Sequence, residues 1–320
     1  MNQPLTNSPF LRACRGEPVP YTPVWFMRQA GRSLPEYKKV RAGTAMLESC
    51  TRPELVTEIT LQPMRRYDVD AAILFSDIVV PLKAVGVDVE IKPGVGPVVG
   101  SPIRALSDLD QLRDLTPDDV PYITESVKAL TGELGGKPLI GFAGGPFTLA
   151  SYLIEGGKSA NFSKTKKLMF GAPDDFRVLM GKLAGVVRRY LVAQIEAGAQ
   201  AVQLFDSWVG DLAPADYVEH VQPHVKHVLD GVAGMGVPVL HFGVGTATLL
   251  EAMRDAGGTV LGVYWCTPLD DAWRRVGYDR AVQGNMDPCA LLATRDVAVK
   301  HAQRVLDAAA GRAGHVFNLG

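Results

Sequence analysis

The chain has 320 residues, 47% of them hydrophobic, and a net charge of −1. It can bury a large core, and its balanced charge provides no global field to recruit nucleic acid or an acidic membrane. Cys14, Cys50, Cys266 and Cys289 are scattered without C-x-x-C spacing, which argues against a disulfide scaffold and fits a reducing cytoplasm.

Along the chain, short apolar runs alternate with longer stretches of helical character. The runs are Thr22–Phe26, Asp70–Phe75, Pro138–Phe142, Ala201–Phe205, Pro238–Phe242, Thr259–Tyr264, Ala281–Gly284 and His315–Leu319. Near-continuous apolar runs of this length predict parallel strands covered on both faces. Between them, Thr51-Arg52-Pro53-Glu54 predicts a helix with Thr51 as cap and Pro53 in the first turn. Pro173–Ala197 predicts a long amphipathic helix stopped by Gly198. Eight such units predict a (β/α)₈ TIM barrel forming a single domain over 1–320, with a doubly wound sheet as the competing architecture. Val87–Ile91 and Pro97–Val99 flank Pro93-Gly94-Val95-Gly96, predicting a β-hairpin inserted after the second strand, either a lid or surface decoration. The N-terminus is polar, with no secretory h-region, and no apolar run reaches the roughly 18 residues a membrane span needs. The chain stops at its eighth strand, so the barrel's closing helix is missing and a longer natural product is expected.

In a barrel, chemistry sits on the loops that follow the strands. Those loops hold Arg28 and Arg32 after the first run, Ser76 and Asp77 after the second, and Gly144-Gly145-Pro146 after the third. Asp206-Ser207, His241 and Asn285-Met286-Asp287 belong to the later ones. Two guanidinium groups in one Gly-containing loop repel unless an anion lies between them, so Arg28 and Arg32 read either as a grip on a polyanionic small molecule or as a surface loop of solvated arginines. Asp77 reads locally either as a helix cap or as a carboxylate directed into the cavity. Tyr152, near a helix start, reads as core or as site, and Ser207 as cap or ligand contact. Other patterns fail. Gly157-Lys158-Ser159 lacks the upstream glycine of a phosphate loop, and Gly94-Val95-Gly96 lacks the third glycine of a dinucleotide fingerprint. His220, His224 and His227 share a helical face, but Val221 and Pro223 spoil a zinc motif.

Met27-Arg28-Gln29-Ala30-Gly31-Arg32, with Leu34-Pro35-Glu36 after it, resembles the N-terminal signature of the uroporphyrinogen decarboxylase family. Phe75-Ser76-Asp77-Ile78, Pro93–Pro97, Ser151–Gly157 and Phe205-Asp206-Ser207-Trp208 resemble further family motifs, in the family's order, and the similarity runs from about Pro9 to the last residue. The resemblance implies a cytoplasmic, homodimeric barrel enzyme of heme biosynthesis, working without cofactor or metal. Its reaction would convert the four acetates of uroporphyrinogen III to methyl groups, giving coproporphyrinogen III and CO₂. It implies Asp77 and Arg28 as catalytic residues, and Arg28, Arg32, Arg41, Asp77, Tyr152 and Ser207 as substrate contacts. In the family, the matching Asp accepts hydrogen bonds from the pyrrole N–H groups and offsets positive charge. Two alternatives share the architecture. A corrinoid-linked methyltransferase needs a thiolate-rich zinc site, and His241-Phe242-Gly243 lacks its His-x-Cys pattern. A non-catalytic tetrapyrrole-binding protein would keep the arginines without needing Asp77. One departure stands out: the family continues Asn-Leu-Gly with a His-Gly pair that supplies a site residue, and this chain ends at Gly320.

Overall fold

The computed structural model describes residues 7–31 and 33–320. Its strands are β1 (Ala72–Ile73), β2 (Val89–Lys92), β3 (Gly96–Val99), β4 (Leu139–Gly144), β5 (Ala201–Asp206), β6 (Val239–Gly243), β7 (Val260–Gly262), β8 (Ala281–Met286) and β9 (His315–Leu319). β1 and β4 to β9 form a seven-stranded sheet in chain order, each strand parallel to the next. Helices connect these strands, as parallel pairing requires, because a tight turn cannot return the chain to the same edge. β2 and β3 pair separately as an antiparallel hairpin, Val89 opposite Val99, with Gly94 at φ +75° in its turn.

The predicted first strand is reduced to a single bridge, Val24 to Phe317. The segment nonetheless bonds on both sides. The Phe317 amide donates to Pro23 O at 2.8 Å, and the Asp70 amide donates to Val24 O at 2.8 Å. Asp70 also turns its carboxylate back, accepting from the Val24 amide at 2.8 Å and from the Tyr21 hydroxyl at 2.7 Å. Pro20 and Pro23 bracket this stretch and carry no N–H, which keeps the ladder short.

The sheet is strongly curled. Trp25 Nε1 donates to Gln283 Oε1 at 2.9 Å, and Gln283 Nε2 donates to Gln203 Oε1 at 3.1 Å. Gln203 lies on β5 and Gln283 on β8, with β6 and β7 between them. Side chains three strands apart meet only across the concave face of a curled sheet. These buried amides therefore mark the interior and fix the alternation of every strand. Gln203 and Phe205 point in, whereas Leu204 and Asp206 point out toward the helices. By the same register Ile140 and Phe142 point in on β4, and Ile73 and Phe75 after β1. Nearer the mouth, Phe142, Phe205 and Phe242 pack edge to face, with ring centroids 5.4 and 6.2 Å apart.

The helix Pro173–Ala197 ends as predicted, with Gly198 left-handed at φ +119°. Its buried Gln194 clips onto β4, accepting from the Phe142 amide at 2.9 Å and donating to Phe142 O at 3.0 Å. The helix Pro53–Arg66 also forms, but Thr51 does not cap it. Arg52 takes that position, and the Thr51 hydroxyl turns back to Glu48 O at 3.0 Å, ending the preceding short helix instead. The histidine face is interrupted too, because Val221 separates the helix Pro214–His220 from the helix Gln222–Ala233.

Replacing Trp25 with Phe removes the donor that orders the amide chain and leaves Gln283 Oε1 buried without a partner. Such a loss typically costs about 1–3 kcal/mol. Urea unfolding of Trp25→Phe is expected to show a lower midpoint at an unchanged slope.

Candidate active site

Asp77 follows β1 with the inward parity of Ile73 and Phe75, and it is only partly accessible. The Val79 amide donates to its Oδ1 at 3.1 Å, a local turn that fixes the carboxylate on the mouth of the sheet. Asp77 is not the cap of the following helix Val80–Ala84, whose cap position is Val79 without a side-chain bond; its carboxylate closes the turn before that helix, and its parity is that of the concave face. Burial pushes its carboxyl above the ordinary range, and the Val79 amide and the charge of Arg28 pull it back part of the way. Arg28 is exposed and close enough to act electrostatically on both Asp77 and Tyr152. Its loop is pinned by Gln29, which sequence reasoning passed over. Gln29 Oε1 accepts from the Phe26 amide at 3.1 Å, and its Nε2 donates to Ala71 O, just before β1, at 3.1 Å. The Arg28 loop is thus fastened directly to the strand that presents Asp77. Arg32 lies outside the described residues.

Tyr152 sits in the second turn of the helix Pro146–Glu155, beyond its start, and is 8% exposed. Its phenol is pushed up to about 12, by burial first and then by the Asp77 charge, against Arg28. One site therefore brings Arg28, Asp77 and Tyr152 within mutual electrostatic reach. The Tyr152 ring packs on Trp208 at 4.2 Å, and Trp208 on Phe162 at 4.9 Å. Ser207 is half-buried beside Trp208 and continues the inward parity of Phe205. Arg41 stands behind the site with its donors partly committed. It bonds Ser49 Oγ at 3.1 Å, the Tyr37 hydroxyl at 2.7 Å and Thr44 O at 3.0 Å. Three of the five guanidinium N–H groups are used there, so any substrate contact falls to the remaining two. Arg41 and Asp77 both bear on the buried thiol of Cys50, which burial raises to about 12.

Two rim residues from the sequence reading face elsewhere, and two more are engaged by the backbone. Asp206 and His241 point outward and meet each other beneath the helices, Oδ2 to Nε2 at 3.5 Å. The alternation fixed by Gln203 and Phe205 carries the signal that separates Asp206 from Ser207. Asn285 is tied into the fold, donating to Thr267 O at 2.6 Å and Tyr264 O at 3.2 Å. Asp287 caps the short turn after β8, accepting from the Cys289 amide at 2.8 Å. Among the described residues, no group of three or more His, Cys, Asp and Glu side chains comes together as a cation-binding set. A cavity of about 510 Å³ opens at the opposite end of the strands, lined by Cys14, Thr259, Asp279 and Arg280. It touches none of these candidate residues, and its position at the N-terminal ends of β7 and β8 is not where parallel sheets put their chemistry.

The raised carboxyl of Asp77 has a consequence for stability. Between the ordinary carboxylate pKa, about 4, and the raised native value, the folded state holds more protons than the unfolded one. Stability from this group therefore falls as pH rises through that window. Asp77→Asn is expected to melt higher than the parent at pH 7, with the difference shrinking as pH falls through that window and levelling off below about pH 4. Melting curves across pH check this; a lower melting point for the variant at pH 7 contradicts it.

Comparison with known proteins matches the family model described as uroporphyrinogen decarboxylase over residues 5–320. A protein of that name from Streptomyces avermitilis is 64% identical over 313 residues, covering 98% of this chain and 88% of its own. One from Thermobifida fusca is 58% identical over 316 residues, covering 99% and 88%. Among solved structures, a methyltransferase from Methanosarcina mazei superposes with a TM-score of 0.80 at 21% identity, over 99% of this chain and 92% of that one. A B12-independent methionine synthase from a Shewanella strain gives a TM-score of 0.55 at 10% identity, over 83% and 79%. At these identities the two structural likenesses concern the fold alone.

Proposed function

The chain belongs to the uroporphyrinogen decarboxylase family, and we propose that it removes the four acetate carboxyls of uroporphyrinogen III, giving coproporphyrinogen III and CO₂. The observation that carries the reading is the enclosed Asp77 carboxylate facing Arg28 and Tyr152 at the mouth of the sheet. The supporting architecture is one (β/α)₈ barrel over 1–320, closed where the Val24 segment bonds both Phe317 and Asp70. The hairpin of β2 and β3 is an insertion after the second barrel strand.

Losing CO₂ from a carboxylate leaves an electron pair that needs a sink. A pyrrole supplies its own. A proton adds to the ring carbon next to the acetate-bearing carbon and makes a cation. The bond to the carboxylate then breaks, and its pair forms an exocyclic double bond that neutralises the cation. A second proton on the exocyclic carbon, followed by loss of the first, leaves a methyl group and an intact pyrrole. The net change per acetate is one proton taken up and one CO₂ released. No step draws on a cofactor.

Asp77 accepts the pyrrole N–H groups and sets a fixed negative charge where the cation develops. Arg28 and Arg32 hold the carboxylates, with Arg41 as a third partner through its uncommitted N–H groups. Tyr152 and Ser207 bond further carboxylates, with the Tyr152 ring steadied on Trp208. Arg28 also guides proton delivery, which a guanidinium does better through a bound water or a substrate carboxyl than by giving up its own proton. The enzyme acts in the cytoplasm as a homodimer, whose test is sedimentation at micromolar concentration.

An anaerobic assay with uroporphyrinogen III, scored for products carrying seven down to four carboxylates, tests the reading. Asp77→Asn is expected to lower kcat by about 10²–10³-fold. A variant within threefold of the parent takes Asp77 out of the mechanism. Arg28→Lys keeps the charge but loses the two-pronged grip. It is expected to raise KM about tenfold and to lower kcat as well. Wild-type values for both constants reduce Arg28 to a surface residue.

A further inference from the structure

Asp206 is fully buried on the outer face of the sheet, one residue before Ser207. Its Oδ2 lies 3.5 Å from His241 Nε2, and the hydroxyl of Tyr217, also buried, feels its charge. Burial raises the carboxyl and the His241 contact lowers it. Oδ1 has no hydrogen-bond partner, so polar pairing alone does not account for a carboxyl at this place.

Packing does account for it. A Cβ on Gly145 would stand 2.4 Å from Asp206 Oδ1 and 2.8 Å from its Cγ. Gly145 has φ −65°, so no left-handed backbone demands glycine there; Asp206 demands it, first through its carboxyl and then through its Cα, which the added Cβ would meet at 3.1 Å. Gly145 is the residue that opens the Tyr152 helix, and its amide donates to Phe205 O, one residue before Asp206, at 2.8 Å. The Trp208 amide donates to Thr148 Oγ1 in the same helix at 3.3 Å, and the Tyr152 ring packs at a tilt on Trp208. The carboxyl therefore sits as a spacer between the strand end that carries Ser207 and the helix that carries Tyr152.

We infer that Asp206 is a positioning residue, which braced by His241 against Gly145 sets the separation of Ser207 and Trp208 from Tyr152. The inference rests on the decarboxylase reading only for what the separation serves. Asp206 touches no substrate and acts through Tyr152 and Ser207.

The test is a set of variants read by KM, kcat and the fluorescence of Trp208, the last isolated by difference from matched Trp208→Phe proteins. Asp206→Ala removes the spacer and is expected to raise KM for uroporphyrinogen about tenfold, as misplaced binding groups do. Asp206→Asn keeps the volume and is expected to stay within threefold of the parent. Gly145→Ala forces the contact apart and is expected to raise KM comparably. Gly145→Ala with Asp206→Ala is expected to recover part of the loss, because the new methyl then occupies the space the carboxyl left. Trp208 fluorescence should move in each single alanine variant and return toward the parent in the double one. A parent-like KM and fluorescence in Asp206→Ala overturns the inference, as does a double variant no better than the worse single. If Asp206→Ala does not fold, Gly145→Ala decides alone: parent-like values there overturn it, and failure of both to fold makes Asp206 a folding element only. If the parent does not turn over uroporphyrinogen, the functional reading fails, while the fluorescence series still decides the positioning role.

Discussion

The site depends on one closure. The Val24 segment bonds β9 on one side and the approach to β1 on the other, and Trp25 sends its N–H inward to Gln283. Without these contacts the Arg28 loop has no fixed relation to Asp77. Residues nearly fifty positions apart in sequence become neighbours only because the first segment is held against the strand that carries the second. The stretch supplies little strand of its own, with prolines limiting its ladder, so tertiary bonds and one buried indole place it.

The electrostatics follow from this enclosure. A carboxylate in open solvent would be ionised, hydrated and of little use against a cation forming on a substrate. Enclosed at the mouth of the sheet, Asp77 loses water and gains a single amide and a nearby guanidinium. On the proposed reading, a charge on this carboxylate would be held in place by that amide and guanidinium, so a ring turning cationic would need little reorganisation around it. The aromatic side is built differently. Tyr152, Trp208 and Phe162 form a wall of tilted, closely packed rings that carries the Tyr152 phenol.

Much of this was legible in the sequence, for identifiable reasons. The parallel strands read clearly because strands covered on both faces are nearly continuous apolar runs, and Ala201–Asp206 and His315–Leu319 fall where those runs predict. Asp77 and Arg28 are legible because loops after parallel strands carry chemistry, Tyr152 only through the family resemblance, and the structure brings all three within electrostatic reach. Side-chain direction at a strand end was not legible without a reference on the same strand. Only the resemblance separates Ser207 from Asp206 in the sequence, whereas in the structure the bond between Gln203 and Gln283 fixes which residues of β5 face inward. Thr51 was misread because local capping propensity competes with a hydroxyl's bond to the preceding turn, and here the preceding turn won. Gln29 stands inside the N-terminal signature, but its role was not legible there, since a pinning amide is defined by partners distant in the chain.

The helix Pro146–Glu155 is anchored at both ends. Gly145 bonds Phe205 O at its start, and at its finish Gly156 O and Leu153 O accept from the Val99 and Ile103 amides. A helix held this way cannot fray independently, because loosening either end means breaking bonds to a strand of the main sheet or to the hairpin. The wall bearing Tyr152 therefore belongs to the same cooperative unit as the sheet itself, and its amide protons should exchange only as slowly as the sheet's own. Heat inactivation of such a protein follows global unfolding instead of preceding it: on this side, the catalyst keeps its shape until the fold is lost.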